Sequence, residues 1–284
     1  MQIIKKEKFG NKRKVTLFGF IKFSYKTQTK ENLQKKQNVC ILFSGDYASW
    51  AEASNMCKGY SAQNILDKTL ESVMKVKSGE AVFERDSCIF DKVQYSFPLL
   101  SCLFKVAVEN NNELNILDFG GALGSHYFQN KDFLKPIKIN SWAVVEQPHY
   151  VEAGNEKIAD GILNFKNTID EVDGANVLLL SGVLQYLPNP YDWIEKFIQK
   201  GIDYIIVDRT AFSTENRNRL TIETVPICVY DAKYPAWFFK ESDFLEKFSG
   251  KYDMVLDFDD TIDNIKNFPC YFKGYLFKRK RNDF

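Results

Sequence analysis

Histidine is nearly absent from this chain: His126 and His149 are the only two in 284 residues. Six cysteines are present, at positions 40, 57, 88, 102, 228 and 270, and none form a C-x-x-C pair. With so few soft ligands at metal spacing, no metal site is expected. At this length the cysteines read as buried free thiols in a reducing compartment rather than as a disulfide framework. No apolar run approaches the roughly 20 residues of a membrane-spanning helix. No apolar core with a small-residue cleavage site follows the first lysines, so no secretory leader is expected and the reading is cytoplasmic. What is there is a globular composition, 45% hydrophobic and 26% charged, with a high aromatic share of 15%.

Net charge is only +1 but is spread unevenly: residues 1–38 carry eleven Lys/Arg against two Glu, which leaves the rest near −8. This predicts a basic arm on a mildly acidic body. Within the arm, Val15 to Tyr25 (VTLFGFIKFSY) is apolar, aromatic and flanked by lysines. That pattern suits either a segment packed on the body or peripheral contact with an anionic membrane face. Nucleic acid is the weaker partner, since the body is acidic and no N-P-P-Y-like tetrapeptide is present.

Residues 39–112 read as a helical cap region, with helices at Ser49–Met56, Ala62–Val76 and Phe97–Val108. From residue 113 to residue 284, strands and helices alternate. Strands are predicted at 115–119, 141–146, 161–165, 176–181 and 203–208, with helices at 124–134, 149–158, 167–172 and 190–200 between them. A helix at 241–248 and two strands at 252–258 and 270–277 follow. The central strands are continuous apolar runs (VLLL, YIIV), as in a parallel sheet buried on both faces. The expected class is therefore α/β: a Rossmann-like, seven-stranded, mostly parallel sheet with the last strand antiparallel, behind a helical N-terminal cap.

Residues Ile116 to Gly124 read I-L-D-F-G-G-A-L-G. A strand ending in an acid turns through glycines into a helix, which builds a nucleotide site from close backbone approach and unpaired helix N–H groups. The frame is not the G-x-G-x-x-G of dinucleotide sites. Asp118 would repel a pyrophosphate and suits an amine-bearing ligand such as S-adenosylmethionine. Gly120, Gly121 and Gly124 supply the turn, with Gly121 expected to carry the backbone freedom that a glycine at Ala122 would give. Glu146 ends the second strand, 28 residues after Asp118, where a carboxylate can accept from both ribose hydroxyls. Gln147 follows it. Ser181, Gln185 and Tyr186 stand beyond the fourth strand, at the edge where open α/β sheets bind ligands. Phe165 is a candidate for the adenine ring, with core packing as the alternative.

These pieces resemble class I S-adenosylmethionine-dependent methyltransferases. More narrowly, DFGGALGSHYFQN, WAVVEQ, LLSGVLQYLPNP, IVDRT and VPICVYDAKYPAW, with GDYASWAEA, GYSAQNIL, KSGEAVFERDS and YSFPLL upstream, resemble a methyltransferase family of bacterial surface-polysaccharide loci. The resemblance runs from about Gly45 to the C-terminus and implies O-methylation of a sugar, nucleotide-sugar or lipid-linked glycan. The alternative is a non-catalytic relative that binds a nucleoside or a partner. For catalysis, Asp208 is the candidate proton acceptor and Arg209 the candidate grip on an anionic substrate group, with a structural pairing of the two as the competing reading. His126 is a further candidate base. Tyr230, Tyr234 and Trp237, read as a loop, are candidate walls for a sugar ring, and Glu84-Arg85-Asp86 reads as a solvated turn, with the resemblance implying a place lining the cleft as the alternative.

Overall fold

The computed structural model describes residues 4–9, 12–17, 21–26, 42–57, 63–225, 232–260, 263, 265 and 268–281. It divides into two units, Met1–Cys40 and Ile41–Phe284. The first is an antiparallel meander of β1 (Ile4–Phe9), β2 (Lys12–Leu17) and β3 (Ile21–Lys26), with Ile4 paired to Leu17 and Leu17 to Ile21. The apolar segment singled out in the sequence is thus split across two strands.

The second unit opens with β4 (Leu42–Ser44), α1 (Trp50–Asn55), α2 (Gln63–Lys77), the hairpin β5 (Phe83–Arg85) and β6 (Cys88–Phe90), and α3 (Phe97–Glu109). The alternating part follows as β7 (Glu113–Phe119), α4 (Ser125–Asn130), β8 (Lys138–Val145), α5 (Pro148–Lys157), β9 (Leu163–Lys166), β10 (Val177–Ser181), α6 (Pro190–Lys200) and β11 (Tyr204–Ser213). Then come β12 (Arg219–Val225), β13 (Ala232–Phe238), α7 (Glu241–Ser249), β14 (Tyr252–Asp259) and β15 (Cys270–Arg279). The helix expected at 167–172 is only a 3-10 turn, Ile169–Glu171, closed by a capping box from Thr168.

Seven strands form one sheet in the order β14-β15-β11-β10-β7-β8-β9. Strands β9, β8, β7, β10 and β11 are parallel, and β15 runs antiparallel between β11 and β14. This is the strand order and direction of the Rossmann-like methyltransferase fold. Alternate strand residues enter two separate cores, which is why the strands read as unbroken apolar runs. Ile116, Val144, Leu179 and Ile206 face the core that contains Leu66, Leu103 and Tyr150 of α2, α3 and α5. Leu117, Val145, Leu180 and Val207 face the core containing Phe197 of α6 and Phe244 of α7.

Two features depart from the expected plan. A second sheet, in the order β13-β12-β4, is inserted after β11, and Ala53 of α1 packs on its Leu220 and Ile222. The segment read as an aromatic loop is therefore largely strand β13. The cap also contains the β5–β6 hairpin. Asp86 and Ser87 turn it at φ of 50° and 63°, the left-handed pair of a two-residue hairpin loop, and Ser72 of α2 anchors that turn by donating to the Ser87 carbonyl at 2.9 Å.

Gly274 lies where β15 passes between β14 and β11. A Cβ there would come 2.8 Å from the Val207 carbonyl oxygen and meet the Phe258 ring. Gly274→Ala is expected to lower stability by about 1–3 kcal/mol through overpacking, read as a shifted urea midpoint with an unchanged slope.

Candidate functional site

The carboxyl ends of β7, β8, β10 and β11 meet at one edge, and the acid that ends β7 is nearly sealed there. Asp118 is 1% exposed. Its Oδ2 accepts from Trp142 Nε1 at 3.0 Å, while its Oδ1 has no partner in the protein. The glycine loop fits round it. A Cβ on Gly121 would stand 2.5 Å from Asp118 Cγ, so Gly121 is required for space. The left-handed turn is made instead by Gly120, Ala122 and Gly124, at φ of 74°, 50° and 85°. This corrects the expectation for Gly121: Ala122 adopts the unusual conformation itself, at a cost of order 1 kcal/mol.

His126, one turn into α4, places Nδ1 3.7 Å from Asp118 Oδ2. Burial works against its charged form, but Asp118 and then Asp208 outweigh it and raise its pKa. Carboxylates facing an imidazole favour its charged form, so the arrangement disfavours the base role expected of it.

Glu146 follows β8 directly. Its Oε2 accepts from the Gln147 N–H at 2.7 Å, and the Ala122 N–H adds a second backbone donor, so the carboxylate joins the glycine loop to the start of α5. Burial pushes its pKa up to about 7 against those donors. Phe165, by contrast, belongs to the core. It is 2% exposed, and a Cβ on Gly154 would stand 2.6 Å from its ring. An aromatic contact to adenine is therefore not provided by Phe165 as it sits here.

At the ends of β10 and β11, Ser181 Oγ donates to Asp208 Oδ2 at 2.9 Å. Asp208 is 2% exposed, and burial raises its pKa. Arg209 sits in a bulge of β11 at φ 50°. It forms no side-chain hydrogen bond with Asp208. Its Nε and Nη2 grip Asp263 at 2.8 and 3.2 Å, and Nη2 also reaches Asp86 of the hairpin turn at 3.3 Å. The bonded pairs are thus Ser181–Asp208 and Arg209–Asp263. Gln185 donates to the Arg209 carbonyl at 3.0 Å, and its own Oε1 is buried without a partner.

The aromatic candidates divide. Tyr186 and Tyr234 meet edge to face at 5.3 Å, and their hydroxyls donate to the two oxygens of Glu223 at 2.8 and 3.3 Å. Glu223 is 3% exposed, and burial pushes its pKa up to about 7 against both tyrosines. Trp237 instead stacks on Trp50 of α1 at 6.4 Å, and Tyr230 lies outside the described residues. Sequence reading missed Glu223 and Asp263. Of the three consecutive charges, Asp86 lies in the exposed hairpin turn, whereas Glu84 is 2% exposed and accepts from Ser125 Oγ.

No family model and no curated protein matches the chain. Solved structures resemble it distantly. An N1-methyltransferase of 1,6-didemethyltoxoflavin from Burkholderia thailandensis, bound to S-adenosylhomocysteine, is 13% identical over 85% of this chain and 95% of its own, with a TM-score of 0.43. Magnesium protoporphyrin IX methyltransferase from Synechocystis PCC 6803 is 12% identical over 78% of this chain and 100% of its own, at 0.44. An amino pentose methyltransferase from Micromonospora echinaspora is 8% identical over 66% and 92%, at 0.45. Likenesses this loose carry no argument about activity, which must rest on the chain's own residues.

The buried glutamates predict a pH effect. A carboxyl whose pKa is raised on folding stabilises most below its unfolded value and loses that contribution as pH rises through the folded one. For Glu223 the window runs from about 4.5 to about 7. Glu223→Gln is expected to flatten the fall in stability between pH 5 and 8 by up to one proton, measured by urea unfolding at stepped pH. An unchanged slope would show that Glu223 ionises normally.

Proposed function

We propose that the chain is an S-adenosylmethionine-dependent methyltransferase. The reading is carried by one arrangement: acids at the ends of the adjacent parallel strands β7 and β8, with the glycine loop between them, in a sheet of methyltransferase order. The residues fit the cofactor. Asp118 Oδ1 is a buried acceptor without a donor, suited to an ammonium group. Glu146 stands where a ribose diol would need a carboxylate, and Gly120, Gly121 and Gly124 let the backbone approach. Gln147, Ser181 and Gln185 border the same edge. The bound cofactor supplies an electrophilic methyl on a sulfonium sulfur; the protein's task is to align an acceptor with it, exclude water and receive a proton.

For the acceptor we favour a sugar, nucleotide-sugar or lipid-linked glycan, on the strength of the motifs shared with the surface-polysaccharide family. Tyr186, half-buried against the buried Tyr234, offers an amphipathic face suited to a sugar ring, and the buried Glu223 holds both hydroxyls. Asp208, bonded to Ser181, is a candidate to receive the acceptor's proton. Arg209, held by Asp263 and Asp86, positions that edge instead of standing free to grip an anion. The engagement of Asp208 with Ser181 also favours a second reading, a relative that binds the nucleoside without transferring its methyl.

Calorimetric titration tests what the two readings share. Binding of S-adenosylmethionine is expected, and its absence at millimolar ligand would sink both. Glu146→Ala is expected to weaken binding by about 100-fold, since charge-assisted hydrogen bonds contribute roughly 1.5–3 kcal/mol, while Asp208→Asn keeps it. Methyl transfer from labelled cofactor to nucleoside-diphosphate sugars would then distinguish enzyme from binder.

We further propose that residues 1–38 make peripheral contact with an anionic membrane face. With nine net positive charges, the arm is expected to sediment with vesicles containing phosphatidylserine in low salt and to release in high salt. A chain lacking residues 1–38 that sediments equally well would refute this.

A further inference from the structure

The cap hairpin holds a buried carboxylate that the fold satisfies only in part. Glu84 is 2% exposed on β5, and Ser125, the first residue of α4 after the glycine loop, donates to its Oε1. Its Oε2 is buried and has no hydrogen-bond partner. A buried carboxylate half satisfied in this way costs more than a neutral side chain of the same shape, so its retention points to a ligand. Its position narrows the ligand. Its partner Ser125 directly precedes His126, and His126 Nδ1 is 3.7 Å from Asp118, whose Oδ1 is the other orphaned carboxylate oxygen beside the loop. Two buried carboxylates, each with one unpartnered oxygen, are thus tied to the start of α4.

The hairpin is held rigidly enough to present such a group. Thr69 and Ser72 of α2 bond Ser87, and Asp86 is tied to Arg209 on β11. Its placement is fixed from two sides before any ligand arrives, which lowers the ordering cost of binding.

Resting on the methyltransferase reading, we propose that Glu84 is a cofactor-binding residue, which with Asp118 receives the α-ammonium group of S-adenosylmethionine and so makes the β5–β6 hairpin one wall of the cofactor site. An ammonium group carries three N–H donors and a positive charge, and both carboxylates offer an empty acceptor beside the loop. The nucleoside end lies toward Glu146, so Glu84 reads only the amino-acid end.

The test uses the full chain and calorimetric titration with three probes: S-adenosylmethionine, S-adenosylhomocysteine, and 5′-methylthioadenosine, which keeps the nucleoside and lacks the amino acid. Glu84→Gln is expected to lower affinity for the first two at least tenfold and to leave the third within twofold. Equal losses on all three, or a loss of the thermal transition, would make Glu84 structural and overturn the proposal. Unchanged affinity for all three would overturn it while leaving the methyltransferase reading intact. Failure of the unsubstituted chain to bind any of them would overturn both. Ser125→Ala is a second variant, expected to weaken the same two ligands less than Glu84→Gln because it removes only the group that orients Glu84.

Discussion

A carboxylate pressed against a backbone with no side chain is the constraint on which the rest of the site depends. Asp118 ends a strand buried on both faces, so its charge has almost no water to turn to. An unpaired charge there would cost several kcal/mol. The surrounding residues are arranged accordingly. Gly121 leaves the gap that the carboxylate fills, Trp142 donates from the neighbouring strand, and His126 in the first turn of α4 brings its Nδ1 to 3.7 Å. The loop between them must then climb away from the strand within a few residues, which forces the left-handed backbone at Gly120, Ala122 and Gly124. Glu146 accepts from Ala122 and Gln147 and so holds the second strand end to the same loop. The two strand ends, the loop and the starts of α4 and α5 are therefore one electrostatic unit.

Much of this was legible in the sequence because burial on both faces leaves an unambiguous mark. The apolar runs gave the sheet strands to within a few residues, and Pro190 and Gly201 bracket α6 at both ends. Asp118 and Glu146 were legible from position alone. What could not be read depended on partners far along the chain. Strand β12 alternates weakly and is followed by Pro226, and β13 contains Pro235, so the pair looks like a loop until β4 supplies its other neighbour. Three consecutive charges at Glu84, Arg85 and Asp86 look solvated, since a three-residue strand is too short to show its period. Only Ser125, distant in sequence, explains why Glu84 is inside. In the same way the competing reading of Arg209 paired it with its neighbour Asp208, whereas its hydrogen-bond partners come from the hairpin turn and from Asp263.

The distribution of unsatisfied groups makes the strand-end edge different from the rest of the molecule. Among the described residues, the buried polar atoms without partners include Glu84 Oε2, Arg85 Nη1, Asp118 Oδ1, His126 Nδ1, His149 Nε2 and Gln185 Oε1. These six sit on the hairpin, at the end of β7 or just past the ends of β7, β8 and β10, while Asn130 Oδ1, Arg219 Nε and Trp237 Nε1 lie on α4, β12 and β13. A fold stabilised only by its own contacts has no reason to gather them, since each costs about 1–3 kcal/mol when left dry. Three of them, Glu84 Oε2, Asp118 Oδ1 and Gln185 Oε1, are acceptors, and burial raises the pKa of both Glu84 and Glu146 to about 7. A ligand with cationic donors at one end and hydroxyls at the other would satisfy the acceptors and draw the glutamates back toward ionisation. Binding and protonation at this edge are consequently linked, and the stability of the surrounding loops is set by the ligand as well as by the core beneath them.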